Sequence, residues 1–131
     1  MQVVYYYDQD SGYCPVKSYL TPIASSIKLL SKIKAKIDYI AGNNGNVRAG
    51  FQSKLYGYES SEIRERKNRK VVIRILYFLH QDKMILLHAF EKPDNYHTKK
   101  KKNEIDKQYK IAEEYIKKYK SNIELSYEEY K

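Results

Sequence analysis

The chain has 131 residues, 42% of them hydrophobic, which leaves room for one domain with a single core and argues against wholesale disorder. Its 25 Lys and Arg against 16 Asp and Glu give a net charge of +9. That field favours polyanions such as nucleic acid, an anionic membrane surface or an acidic protein, although a lysine-rich background gives the same sign. No apolar run approaches the roughly 20 residues that span a bilayer, no secretory leader is visible, and the single cysteine excludes an internal disulfide. The expected compartment is the cytoplasm.

Val3 to Tyr7 reads as a β-strand, closed by the turn-rich Asp8-Gln9-Asp10-Ser11-Gly12. Pro15 opens a short helix through Leu20. Thr21-Pro22 reads as an N-cap and first turn of a second helix, with Ile23, Ile27, Leu30, Ile33, Ile37 and Ile40 at helical spacing. Gly42 and the asparagines after it stop that helix. Val47 to Gly57 looks irregular, anchored by Phe51 and Leu55.

Three strands are expected next, over Ser60–Arg66, Lys70–His80 and Met84–Phe90, joined by short turns into an antiparallel meander. On the middle strand, parity puts Val72, Arg74, Leu76 and Phe78 on one face. A last helix is predicted from about Thr98 to Lys120, with Ile105, Tyr109, Ala112, Ile116 and Tyr119 in one stripe. The order implies an α+β fold, a single domain over residues 1–120 with helices on one face of an antiparallel sheet. An acidic tail over residues 121–131 either adds a short strand or stays free.

Arg64, Arg66, Lys67, Arg69, Lys70 and Arg74 fall within eleven residues, facing only Glu65 in that span. Guanidinium groups bind phosphate bidentately, and Arg66 to Lys70 also suit a solvated turn. Arg74, between Ile73 and Ile75, either pairs with Glu62 or Glu65 or lines a polar site. His88 interrupts an apolar strand, as a hydrogen-bonded structural residue or as the best-matched acid or base of the chain. Lys99 to Lys102 would sit in the first turn of the last helix, where cations oppose the helix dipole, so phosphate binding explains them better than helix energetics does. Three scattered histidines and one cysteine make no zinc site. Phosphate-binding glycine loops, nucleophile elbows and paired carboxylates are absent, whereas a metal-free ribonuclease needs only proton transfer and cations around the phosphorane.

In order and spacing, Leu55-Tyr56-Gly57, Glu62-Ile63-Arg64, Arg74-Ile75-Leu76-Tyr77-Phe78, Leu86-Leu87-His88-Ala89-Phe90 with Lys92, and Glu104-Ile105 resemble the phage-derived HigB-type branch of the RelE superfamily of toxins. Val3-Val4-Tyr5-Tyr6-Tyr7 with Pro15-Val16 is similar to the family's start. The resemblance implies a RelE-like α+β fold and a ribosome-dependent mRNA endonuclease without cofactor or metal, neutralised by a cognate helix-turn-helix antitoxin. It matches Arg64, Arg74, His88, Phe90 and Lys92 to the family's motifs and so implies Arg64, Arg74, His88 and Lys92 in the catalytic site; beside the resemblance, Arg66, Tyr96, His97, Lys99, Lys100, Lys101 and Lys102 are expected on RNA. Where the family continues Lys-Thr-Gln-Lys-Thr-Pro, this chain has Pro93-Asp94-Asn95-Tyr96-His97-Thr98, with the lysine run placed to compensate from a shifted position. Two alternatives stay open: a member that has lost catalysis and only binds RNA or antitoxin, and a gyrase-poisoning relative.

Overall fold

The computed structural model describes residues 1–45, 50–55, 57–93 and 98–130. Six strands form one mixed sheet: β1 (Gln2–Tyr6), β2 (Gln52–Lys54), β3 (Ser61–Arg66), β4 (Val71–His80), β5 (Lys83–Pro93) and β6 (Tyr127–Glu129). The helices are α1 (Pro15–Ile23), α2 (Ile27–Gly42) and α3 (Lys99–Ser121). Across the sheet the order is β2-β3-β4-β5-β1-β6. The meander from β2 to β5 is antiparallel, β1 runs parallel to β5, and β6 pairs antiparallel with β1. Among the described residues no helix is long and apolar enough to cross a membrane.

Strands β4 and β5 are apolar on both sides, and this decides the layering. One face, with Ile73, Ile75, Tyr77 and Leu86, receives Val16 and Leu20 of α1 and Ile33, Ile37 and Ile40 of α2. The opposite face, with Leu76, Phe78, Ile85 and Leu87, receives Ile105, Ala112, Ile116 and Tyr119 of α3. The expectation of helices on one face only is therefore corrected: a sheet whose central strands carry two apolar faces needs a layer on each. The expected all-antiparallel sheet is likewise corrected to a mixed one by the β1–β5 pair.

Three local readings also change. Thr21 and Pro22 lie in the last turns of α1, where Thr21 donates its hydroxyl to the Lys17 carbonyl at 2.8 Å instead of capping a new helix. Helix α2 starts later, after Ser26, which leaves Ile27 77% exposed and out of the core stripe. Residues 52–54 are a polar edge strand rather than irregular chain. Beyond α3, the tail contributes a strand at Tyr127–Glu129.

The β1–α1 turn is fastened to α3 through Asp8, which is buried. Its carboxylate accepts from Tyr6 Oη at 2.9 Å, from Ser11 N at 3.2 Å and from Ser11 Oγ at 2.6 Å, and Lys118 of α3 sits 3.6 Å away. Burial alone would lift its pKa, but the bonds from Ser11 and Tyr6, with the charge of Lys118, outweigh that and hold it below the ordinary aspartate value. Asp8→Asn is expected to cost about 1–3 kcal/mol of unfolding free energy at neutral pH. The carboxyl titrates lower folded than unfolded, so its contribution is complete above the unfolded value of about 3.9 and is lost as pH falls through the folded one. Denaturant titrations should show the wild-type advantage shrinking on acidification; an advantage undiminished in acid would contradict this role.

Candidate functional site

On the α3 side of the sheet, β3, β4 and β5 set nine side chains in three rows. Backbone register pairs Glu62 with Leu76 and Leu76 with His88; Arg64 with Arg74 and Arg74 with Phe90; Arg66 with Val72 and Val72 with Lys92. Rows across paired strands are roughly 5 Å apart laterally and alternate residues about 7 Å apart along each strand, so the array is compact enough for one short ligand.

A β-bulge makes this array possible. The β4–β5 turn has two residues, Gln81 and Asp82, with His80 opposite Lys83. Counting back from that turn without interruption would put His88 on the α1–α2 face. Instead the register slips between Leu76 and Tyr77, with Tyr77 opposite Leu86 and Leu76 opposite His88, so Leu87 is the extra residue. The slip turns His88, Phe90 and Lys92 to the side that carries Arg64 and Arg74.

Arg64 and Arg74 stand directly opposite each other, an arrangement of like charges that costs stability unless compensated. Arg74 forms a close ion pair through Nη1 with Glu62 Oε1; its side chain is 12% exposed and that of Glu62 3%. Of the two sequence readings for Arg74, pairing with Glu62 holds, within a setting that is also polar. Arg64 reaches sideways, donating from Nη2 to the Gly50 carbonyl at 2.6 Å. Glu65 turns to the other face, where it pairs with Lys36 at 3.2 Å.

Helix α3 covers the array with Gln108 and Tyr109. Tyr109 Oη donates to Glu62 Oε2 at 3.0 Å and accepts from Lys92 Nζ at 3.0 Å, and its ring lies edge-on to Phe90. Lys92 is only 5% exposed, an unexpected depth for a lysine near the end of a strand. His88 Nε2 lies 2.6 Å from Gln108 Oε1, and since an amide oxygen only accepts, the imidazole proton sits on Nε2. Burial pushes the His88 pKa below its ordinary value, against a smaller opposing effect of the Gln108 bond, so the ring is neutral at pH 7. Two buried nitrogens, Arg74 Nε and His88 Nδ1, have no hydrogen-bond partner among the described residues. Unsatisfied groups of this kind are rare in a site that exists only for stability.

The same helix is tied down beside the array. Tyr58 Oη donates to Asp106, which raises the tyrosine pKa to about 12, and Glu113 accepts from the backbone of Glu59 at 2.7 Å and of Ser60 at 3.3 Å. At the other end a pocket of about 230 Å³ opens between β5 and the start of α3, lined by Phe90, Pro93, Lys101, Glu104 and Gln108.

The remaining candidates lie further out. Arg66 is exposed and donates to the carbonyls of Asn68 and Arg69 at 3.4 and 3.2 Å, bracing the β3–β4 turn. Lys99, Lys100, Lys101 and Lys102 are exposed in the first turn of α3, where the Thr98 hydroxyl caps Lys101 N at 3.2 Å. Tyr96 and His97 lie outside the described residues. Sequence reasoning left Gln108 unremarked and took Tyr109 only as part of an apolar stripe. Its phenol at the stripe's polar edge was the available signal, because a buried tyrosine hydroxyl needs partners. Among the described residues no cluster of His, Cys, Asp and Glu could hold a metal ion.

No family model, curated protein or solved structure matches the chain.

Removing one member of the Arg74–Glu62 pair strands a buried charge, so Glu62→Ala is expected to cost about 3–5 kcal/mol. Replacing both together, Glu62→Leu with Arg74→Met, should be close to neutral or stabilising. Urea denaturation of the three proteins checks this. A single-variant loss below about 1 kcal/mol would mark the pair as solvated.

Proposed function

We propose that this chain is a RelE-superfamily toxin of the HigB type, a metal-independent endoribonuclease that cuts mRNA on the ribosome and is held in check by a cognate antitoxin. The observation that carries the reading is the array itself: Arg64 and Arg74 opposed on neighbouring strands, with His88 and Lys92 turned to the same side by the bulge at Leu87. The element order, with an N-terminal strand, two helices, a meander and a closing helix, agrees with it.

In this reading the RNA supplies the nucleophile, its own 2′-hydroxyl. His88, kept neutral by burial, takes the hydroxyl proton at Nδ1, the buried nitrogen opposite Gln108 that has no partner among the described residues, once the entering RNA uncovers it. Attack on the adjacent phosphorus builds negative charge on the non-bridging oxygens, then breaks the P–O5′ bond to leave a 2′,3′-cyclic phosphate, and the departing 5′-oxygen takes a proton from water. Arg74, through its unused Nε as well as Nη1, and Arg64 stabilise that charge. Lys92 holds the backbone beside them. The Glu62 carboxylate occupies the place at Arg74 that a phosphate oxygen would take, so RNA enters by displacing Glu62 and the Tyr109 hydroxyl that holds it.

One observation favours a second reading, a catalytically impaired member that binds only RNA or antitoxin: Glu62 neutralises Arg74, and Lys92 is buried under Tyr109. Incubation of purified protein with ribosomes and mRNA separates the two. Codon-spaced cuts are expected, with Arg64→Ala slowing them about a hundredfold while circular dichroism shows an unchanged fold. Arg74→Lys, which keeps the charge but not the guanidinium fork, should also slow them. Because only the neutral imidazole accepts a proton, the rate should climb as pH rises through the His88 pKa, at lower pH than for an ordinary histidine, and then level off. Ribosome or RNA binding without any cuts would establish the second reading instead.

A further inference from the structure

A groove of about 530 Å³ lies on the opposite side of the β2 edge, between α2 and the start of β2, and no step of the proposed cleavage uses it. It is lined by Lys32, Ala35, Lys36, Tyr39, Phe51 and Glu65. Tyr39 is 53% exposed, and its ring lies edge-on to Phe51 with centroids 6.1 Å apart. Phe51 is half-buried against the core, so the exposed ring of the pair is Tyr39, a surface that suits a flat apolar ligand with a polar rim.

The helix arranges cations along the same wall. Residues 28, 32, 35 and 39 follow one another at spacings of four, three and four, which puts Lys28, Lys32, Ala35 and Tyr39 in one exposed stripe of α2. Lys36 is committed to the groove's construction: it donates to the Arg64 carbonyl at 2.8 Å, pairs with Glu65 at 3.2 Å and sits over the Phe51 ring at 5.0 Å. That pairing uses up the one acid in the lining, so the field there stays positive. The wall offers the exposed Tyr39 ring and only Ala35 as aliphatic surface, which favours a nucleobase over a peptide's apolar side chain. The groove also adjoins the array, because Arg64 donates through its backbone N–H to the Phe51 carbonyl at 2.8 Å and through its guanidinium to Gly50, the residue before Phe51.

We infer that this groove is a stacking subsite for a base of single-stranded RNA, with the Tyr39 ring receiving the base and Lys28 and Lys32 the neighbouring phosphates. The inference rests on the RNA reading of the array and extends it: a strand crossing the β2 edge would engage Arg64 on one side and Tyr39 on the other. Stacking tolerates any base, so the subsite adds grip without adding sequence preference.

Fluorescence anisotropy with a labelled, 2′-O-methylated oligouridine of about 12 nucleotides tests it, alongside a strand of equal length without bases. Tyr39→Ala is expected to weaken binding of the oligouridine at least about fivefold and Tyr39→Phe to restore it. Lys32→Ala should flatten the dependence of log affinity on log salt by about 0.7. The strand without bases should bind more weakly and be indifferent to Tyr39. Wild-type affinity in Tyr39→Ala, or equal sensitivity of the two strands to that substitution, overturns the subsite and leaves the groove to a protein partner. Failure here is separable from failure of the cleavage reading: ribosomal cuts with unchanged Tyr39→Ala binding remove the subsite alone, whereas Tyr39-dependent binding without cuts removes catalysis alone.

Discussion

The Arg74–Glu62 ion pair sits at the centre of everything the α3 face of this sheet does. Two charges, on side chains only 12% and 3% exposed, lie between three strands and a covering helix. Their attraction offsets the desolvation that burial imposes and the repulsion between the opposed Arg64 and Arg74. The pair does not satisfy the whole guanidinium, because Nε remains without a partner among the described residues. An end-on, half-satisfied ion pair is a poor stability device and a good placeholder for a bidentate anion. Tyr109 ties this pair to Lys92, so one phenol on α3 couples the cover to both the acid and a further base.

The array exists because the sheet breaks its own register. Without the bulge at Leu87, His88, Phe90 and Lys92 would face α1 and α2, and Ala89 would stand opposite Arg74. With it, β5 keeps Ile85 and Leu87 in the apolar contact with α3 and still delivers His88, Phe90 and Lys92 to the polar end of the same face. Packing and chemistry thus divide α3 lengthwise. Its later half, from Ala112 to Tyr119, supplies most of the apolar contact, joined by Ile105 nearer its start, while Gln108 and Tyr109 meet the polar array. The tie from Lys118 to Asp8 holds the apolar half to the β1–α1 turn, independent of what happens over the arginines.

Much of this was legible in the residues alone, and the exceptions have identifiable causes. The run of β-branched and aromatic residues in Val71–His80, the stripe of α3 and the stop of α2 at Gly42 are strong compositional, periodic or capping signals, and they appear where expected. The three residues of β2, Gln-Ser-Lys, carry no alternation and are held only by pairing with β3, so no local pattern announces them. Thr21-Pro22 carries the signature of a helix start but serves a helix end, because the threonine hydroxyl found a carbonyl one turn back. Helices cover both faces because Leu76 and Phe78, on the same face of β4 as Arg74, demand an apolar layer of their own. The faces of Arg64 and Arg74 followed from parity, whereas that of His88 depended on a bulge that sequence does not reveal. The burial of Lys92 and the role of Gln108 depend on the long-range docking of α3 and have no local signature.

The account stands or falls on whether a phosphate can take the place of Glu62 at the paired arginines. Nitrogen-15 NMR of the arginine Nε–H groups, followed while an uncleavable 2′-deoxy-substituted RNA is added, observes that event directly. The account predicts that the Arg74 Nε–H signal, which has no partner among the described residues, moves together with that of Arg64 and ahead of the signals of Arg66 and Arg69. Shifts confined to Arg66 and Arg69, with Arg64 and Arg74 unmoved at saturation, would contradict it.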